Sequence, residues 1–465
     1  MQLAILIAVI CALAQGESTP AEPVGGALWR AALTLAGALV APLAAALGSL
    51  RLMRGLARDD GPSPDECERV WSRIQALVLG TWLAIVAATM YVLQWPQVVR
   101  IDWSLGTWPL VDEMLILLPV LLPLVLFWSV MHRLQVAAQN ALARASGASR
   151  PQSSLAAFLW QNARHHLALV VLPALVVIGL QESLTRVWPQ LVTNSWWIHP
   201  PMLAAMLVLM PVALRSIWRT SPLPAGPLRD RLVAICRAQH VGVRDILVWH
   251  TDGQIANAAV AGVLRGLRYV FLTDGLLSRL SPAEVEAVLR HELGHITRRH
   301  MLLRMLVLAL PLVLWIAAKQ TYPALFDSLG ERLAFAGLSE SLQVSLLVPT
   351  ALAAYVILVV GRYSRWLEHD ADLATCVWPG GQVDRAAAES FARALIKIVG
   401  RGRESRWSLW LHPSALSRIA ILGQAIADPA WPARYRRRLT WVAAIMVTLY
   451  VTSTAALVVL ANTAR

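Results

Sequence analysis

Charge is what this chain has least of. Charged residues fill 15% of its 465 positions and apolar ones 57%, whereas an ordinary soluble domain carries roughly 25% charge. That excludes a plain soluble globule, and a mean hydropathy of +0.56 agrees. Lysine is nearly missing, occurring only as Lys319 and Lys397, so arginine carries the net charge of +13. The arginines cluster between apolar runs and form no basic, aromatic-interleaved patch of a nucleic-acid module, so nucleic-acid binding is set aside. Four cysteines, Cys11, Cys67, Cys236 and Cys376, lie far apart with no C-x-x-C pair. This argues against a disulfide framework or a cysteine metal site. No internal repeat or low-complexity tract stands out.

What is present is a series of long apolar runs. Met1–Gln15 is a short one ending in Ala12-Leu13-Ala14, either a signal peptide or a short uncleaved anchor. Eight runs then approach the ~20 residues that cross a bilayer: Ala31–Leu50, Ile74–Gln94, Met114–Met131, Leu167–Leu180, Trp196–Leu214, Met301–Ala318, Leu342–Val360 and Trp441–Leu460. Asp112 and Glu113 precede the third and are expected at the membrane interface. The composition and these runs predict a mainly α, polytopic transmembrane helical protein.

Between the fifth and sixth runs lies a soluble stretch opened by the Pro-rich Ser221–Pro227. It predicts a helix over Leu228–Gln239 and strands over Asp245–Thr251 and Arg268–Thr273. Ser281–His300, SPAEVEAVLRHELGHITRRH, follows. Ser281 suits an N-cap, Pro282 the first turn and Glu284 a capping box. Val285, Val288, Leu289, Leu293 and Ile296 make an apolar face, so the stretch predicts one amphipathic helix. On it His291 and His295 sit one turn apart and point the same way. Two neutral imidazoles at that spacing can hold one Zn²⁺. Glu292 flanks the metal and can take a proton from a water that the metal activates. Gly294 lets something approach the helix closely. The bland alternative is a solvated helix whose histidines face water.

Zinc bound this way lacks one protein ligand. Ser364–Ala374, SRWLEHDADLA, supplies a candidate in Glu368, with Asp372 on the same helix face to accept a hydrogen bond from a ligand histidine. His369 and Asp370 point elsewhere on that helix. Arginine is abundant after the first span (Arg51, Arg54, Arg58, Arg69, Arg73) and the third (Arg133, Arg144, Arg150, Arg164). After the second span there is Arg100 alone. By the positive-inside rule, the motif helix and Gly361–Arg438 share the cytoplasmic side.

These pieces resemble the gluzincin membrane metallopeptidase family of CaaX prenyl protease 1 and the HtpX heat-shock protease. Asn257-Ala258-Ala259-Val260-Ala261-Gly262 resembles its N-A-x-A-x-G edge strand. His291–His295 resembles its zinc helix, and His300 stands where members often have histidine. Glu368-His369-Asp370-Ala371-Asp372 resembles its third-ligand motif, and His412-Pro413 with Arg418-Ile419 its H-P…R-I element. The match covers roughly Leu228–Asp428.

The resemblance implies a small α+β zincin-type metalloprotease domain with one zinc per chain, bound by His291, His295 and Glu368. Glu292 is then the general base and the later proton donor, and Asp372 orients a ligand. His412 and Arg418 stabilise the oxyanion, and residues 257–262 pair with an extended substrate. The expected layout has a leader or anchor and polar segment over 1–26 and five spans over 27–220. Core pieces over 221–300 and 362–438 flank two spans over 301–361, and a last span covers 439–465. The expected partners are a membrane-associated polypeptide substrate and the lipid bilayer, with the site facing the cytoplasm of a bacterial inner membrane. Two alternatives stand: an antibiotic-sensor-type membrane metalloprotease, and a catalytically inactive membrane scaffold.

Overall fold

The computed structural model describes residues 25–56, 64–108, 110–146, 154–168, 170–189, 199–253, 255–335, 354–378, 381–399 and 412–463, with isolated positions 5, 8, 9, 12, 13, 23 and 351. The chain divides into two compact units, residues 1–207 and 208–465. The expectation of a leader or anchor over Met1–Gln15 lies for ten of its fifteen residues outside the described residues.

The first unit is helical. Ala27–Gly55, Ser72–Val92 and Val111–Asn140 are each long and apolar enough to cross a membrane. Leu155–Leu167 and Val171–Val187 make a pair bent by 57° where the fourth span was expected. The core joins Trp82, Met90, Ile116, Leu117, Val120 and Trp128. π-helical turns at Ala88–Val92 and Val98–Asp102 interrupt regular helix, a feature no hydropathy pattern announces. Asp112 and Glu113 stand at the start of the third candidate span, Val111–Asn140. Both are buried, and Arg100 spans them at 2.5 and 2.8 Å. A buried carboxylate needs such a partner.

The fifth expected span lies partly outside the described residues. His199–Ile217 is an apolar helix with Pro211 inside it. Of the seventh, residues 342–350 are outside them, and Val356–Val360 is a π-helical turn. The sixth and eighth stand as His300–Thr321 and Trp431–Ala456.

The second unit carries a four-stranded sheet: β1 (Thr220–Pro222), β2 (Asp245–Trp249), β3 (Ala258–Ala261) and β4 (Tyr269–Thr273), in the order β1-β2-β4-β3. β2 and β4 are parallel and central, and β1 and β3 are antiparallel edges. β4 is buried along its whole length, as a central run of aromatic and β-branched residues favours. β1 lies where only a Pro-rich linker was expected. Three residues show no alternation, and Pro222 is tolerated because the strand is an edge.

Pro282–Thr297, the motif helix, begins at the predicted capping box. The Ser281 N–H donates to Glu284 at 2.7 Å, and Lys397 Nζ donates to the same carboxylate at 2.8 Å. Its apolar face, Val285, Val288, Leu289 and Leu293, packs into one core with Val270 and Leu272 of β4 and with Phe391 of the helix Arg385–Val399.

Candidate metal centre

Two helices build the site. The motif helix meets Gly361–Ala374, the acidic helix, which buries Leu367, Glu368, Ala371 and Asp372 on the facing side. Gly294 permits the crossing. A Cβ on it would lie 2.8 Å from the Ala374 Cβ and 3.4 Å from the Ala371 Cα. The "something" that glycine admits is therefore the helix carrying Glu368.

The crossing brings His291, His295 and Glu368 together, their ligand atoms within 4.8 Å of one another. The Nε2 atoms of the two histidines are 3.3 Å apart, and the Glu368 oxygens lie 3.6 Å from His291 Nε2 and 3.5 Å from His295 Nε2. Tetrahedral zinc with bonds of about 2.0–2.1 Å separates its ligand atoms by about 3.3 Å. Two imidazoles and one carboxylate at this spacing fit zinc, and the set lacks the sulfur or the many oxygens that softer or harder ions prefer.

Each ligand has its own support. Asp372 is fully buried and accepts from His291 Nδ1 at 3.0 Å. Arg418 donates to Asp372 through Nε, 3.1 Å from both oxygens, and through Nη2 at 2.6 Å. It also lies over the Phe391 ring, on which His291 stacks. On the other side, His295 Nδ1 is 2.9 Å from His300 Nδ1. Glu368 faces Arg304 at 2.6 Å and His412 Nδ1 at 3.2 Å, and the His412 ring is more than half exposed.

Burial alone would raise Asp372. The Arg418 charge and the His291 bond instead hold it far below the usual carboxylate range. Glu368 is likewise held well down, against burial, by His291 and His412. Burial and Arg418 act to lower His291, yet its bonds to the two carboxylates push it up to about 9. Burial and the neighbouring His291 push His295 down. A pocket that keeps its carboxylates ionised and draws a proton onto one imidazole is one in which a dication replaces that proton. Glu292, partly exposed, is pushed up to about 6 by burial, so it is poised to exchange a proton near neutral pH.

All the expected ligand and positioning residues meet here: His291, His295, Glu368, Asp372, His412 and Arg418. Arg418 is committed to Asp372, which the sequence did not indicate. Residues 257–262 form β3 and its flanks, at a sheet edge packed on the motif helix. Sequence reasoning missed Arg298, Arg304 and Phe391, and it left Asp370 as a bystander. Asp370 does point away from the ligands, and it is bonded to Arg298 and His300. An arginine in an apolar span, Arg304, was the one available signal.

Residues 230–426 match the profile of Peptidase family M48. The chain is 28% identical over 202 residues to a Protease HtpX homolog of Thermoplasma acidophilum, covering 43% of this chain and 60% of the relative. It is 28% identical over 189 residues to Protease HtpX homolog 2 of Methanosarcina mazei, covering 40% and 60%. The chain thus spans about three fifths of the length of these curated relatives. The crystal structure of S. mikatae Ste24p is similar with a TM-score of 0.41 at 14% identity, covering 86% of this chain and 100% of that one. Over residues 230–426, under half of its length, the chain is thus similar to Peptidase family M48 and to the HtpX proteases.

Proposed function

We propose that the protein is a membrane-integrated zinc endopeptidase that hydrolyses peptide bonds in membrane proteins or membrane-tethered peptides. One observation carries the reading. Two imidazoles and a carboxylate from separate helices face one another at 3.3–3.6 Å, with a carboxylate of raised pKa beside them.

His291, His295 and Glu368 hold one zinc. Bound there, zinc supplies Lewis acidity, polarising a carbonyl and acidifying water. Glu292 accepts the proton of the attacking water and returns it to the leaving amine nitrogen. His412, more than half exposed beside Glu368, donates to the oxygen on which charge develops. Arg418 adds positive charge while holding Asp372, and Asp372 fixes the His291 ring.

The substrate adds as a strand beside β3. The Thr273 N–H donates to Asn257 O, so Asn257 and Thr273 are a hydrogen-bonded pair. The register alternates from there. Ala258 and Val260 consequently turn their N–H and C=O groups to the free edge, where an extended peptide pairs with them. The small side chains of β3 admit varied neighbours. The site is near the bilayer because the apolar helix His300–Thr321 starts three residues after the motif helix ends, which favours membrane-associated substrates. We place the site on the cytoplasmic side of a bacterial inner membrane, and the arginine distribution supports that orientation.

Replacing Glu292 with Gln tests the reading. Purified protein should retain zinc and lose cleavage of membrane substrates. A Glu292→Gln protein that still cleaves contradicts it. If every cellular role of the protein survives the change, the inactive-scaffold alternative holds.

A further inference from the structure

The two histidine ligands are supported differently. His291 reaches its carboxylate, Asp372, directly. Behind His295 stands a second imidazole. His295 Nδ1 is 2.9 Å from His300 Nδ1, and His300 Nε2 is 3.0 Å from Asp370 Oδ2. Arg298 donates to Asp370 Oδ1 at 2.5 Å and also to the Asp370 carbonyl oxygen. His300 and Asp370 are 1% and 2% exposed, so water does not compete for these bonds.

Residues five apart on an unbroken helix diverge by about 140°. His300 would then face away from His295. The chain avoids this by ending the motif helix at Arg298 and placing Arg299 in the left-handed region, φ +56°. Non-glycine residues are uncommon there. The turn swings His300 back beneath His295.

Counting protons leaves one arrangement. Ionised Asp370 only accepts, so His300 carries its proton on Nε2. His300 Nδ1 is then an acceptor and requires a proton on His295 Nδ1. His295 Nε2, the atom facing His291 and Glu368, is left bare and able to bind a metal. The opposite tautomer of His300 would force the His295 proton onto Nε2 and block it.

We propose that His300 and Asp370, clamped by Arg298, form a relay that fixes the tautomer and ring orientation of His295 and so makes it a competent ligand. They are positioning residues at one remove from the metal, parallel to the Asp372–Arg418 pair behind His291. The inference rests on the zinc reading above.

Asp370→Asn is the sharpest variant. Arg298 keeps the amide oxygen on its own side, so the amide NH₂ meets His300 Nε2 and inverts the relay. His300→Phe keeps ring volume and removes both nitrogens. Three quantities are read on the purified full-length chain: the zinc dissociation constant by chelator competition, the melting temperature of the zinc-free protein, and the visible absorption of the Co²⁺-loaded protein. Each variant should bind zinc about 10–100-fold more weakly, with an altered Co²⁺ spectrum and unchanged zinc-free melting. Unchanged zinc affinity in either variant overturns the relay, as does a loss that merely tracks a fall in zinc-free melting. A parent protein that takes up no zinc overturns the metal reading itself, which the parent control distinguishes.

Discussion

At the scale of single residues, the proposed mechanism places the proton transfer on Glu292. Burial pushes it up to about 6. A base works only when deprotonated, so the rate should rise with pH through Glu292's titration and level off above it. A bound dication lowers that point, so the acid limb of kcat should lie at or below pH 6. In Glu292→Gln the limb should vanish, and cleavage should fall by about 10²–10⁴-fold with zinc content unchanged. A pH–rate profile beside metal analysis checks both. His291, Glu292, His295, Glu368 and Asp372 were legible in the sequence because helical spacing is local: residues three or four apart share a face whatever surrounds them. Asp370 was not. Its partners Arg298 and His300 lie 70 or more residues away, and they meet it only because Arg299 adopts a left-handed turn.

At the scale of elements, the crossing at Gly294 decides whether a site exists. Gly294→Ala places a methyl 2.8 Å from the Ala374 Cβ, an overlap that costs about 1–3 kcal/mol in a packed interface. The helices should part, with weaker zinc binding and lower melting. Adding Ala374→Gly should recover much of both, as a double-mutant cycle would show. The edge strand offers a second contrast. Val260→Pro removes an outward N–H without touching the ladder to β4 and loses only part of the Val260 packing on the core, so it should lower kcat/KM and lower melting less than a proline at Ala259. Ala259→Pro removes an N–H that the ladder uses, so it should destabilise the sheet. Equal effects of the two on melting would contradict the assigned register. β2 and β4 could be read from composition, and β3 only through its resemblance to a family edge strand. β1 could not, because three residues hold no periodicity, and π-helical turns such as Val356–Val360 leave the apolar pattern unbroken.

At the scale of the whole molecule, the two helices that bring His291, His295 and Glu368 together lie on either side of an apolar stretch, yet both belong to one compact unit. The arginine bias requires both on one membrane face. An impermeant maleimide should label Ser104→Cys in intact cells and Gln382→Cys only after permeabilisation, since both positions are exposed. The reverse pattern would invert the topology. Of the eight apolar runs, five are helices long enough to cross a membrane among the described residues, and the 57° break at Leu155–Leu167 and Val171–Val187 was invisible, because hydropathy does not report direction.

The account depends on His291, His295 and Glu368 closing on one ion. Zinc analysis and X-ray absorption at the zinc edge, on the purified full chain and its Glu368→Ala variant, test this most directly. The account predicts one zinc per chain, a shell of two imidazoles with oxygen and no sulfur, and a large loss of zinc in the variant. A zinc-free parent, a sulfur scatterer, or an unchanged shell without Glu368 would contradict it.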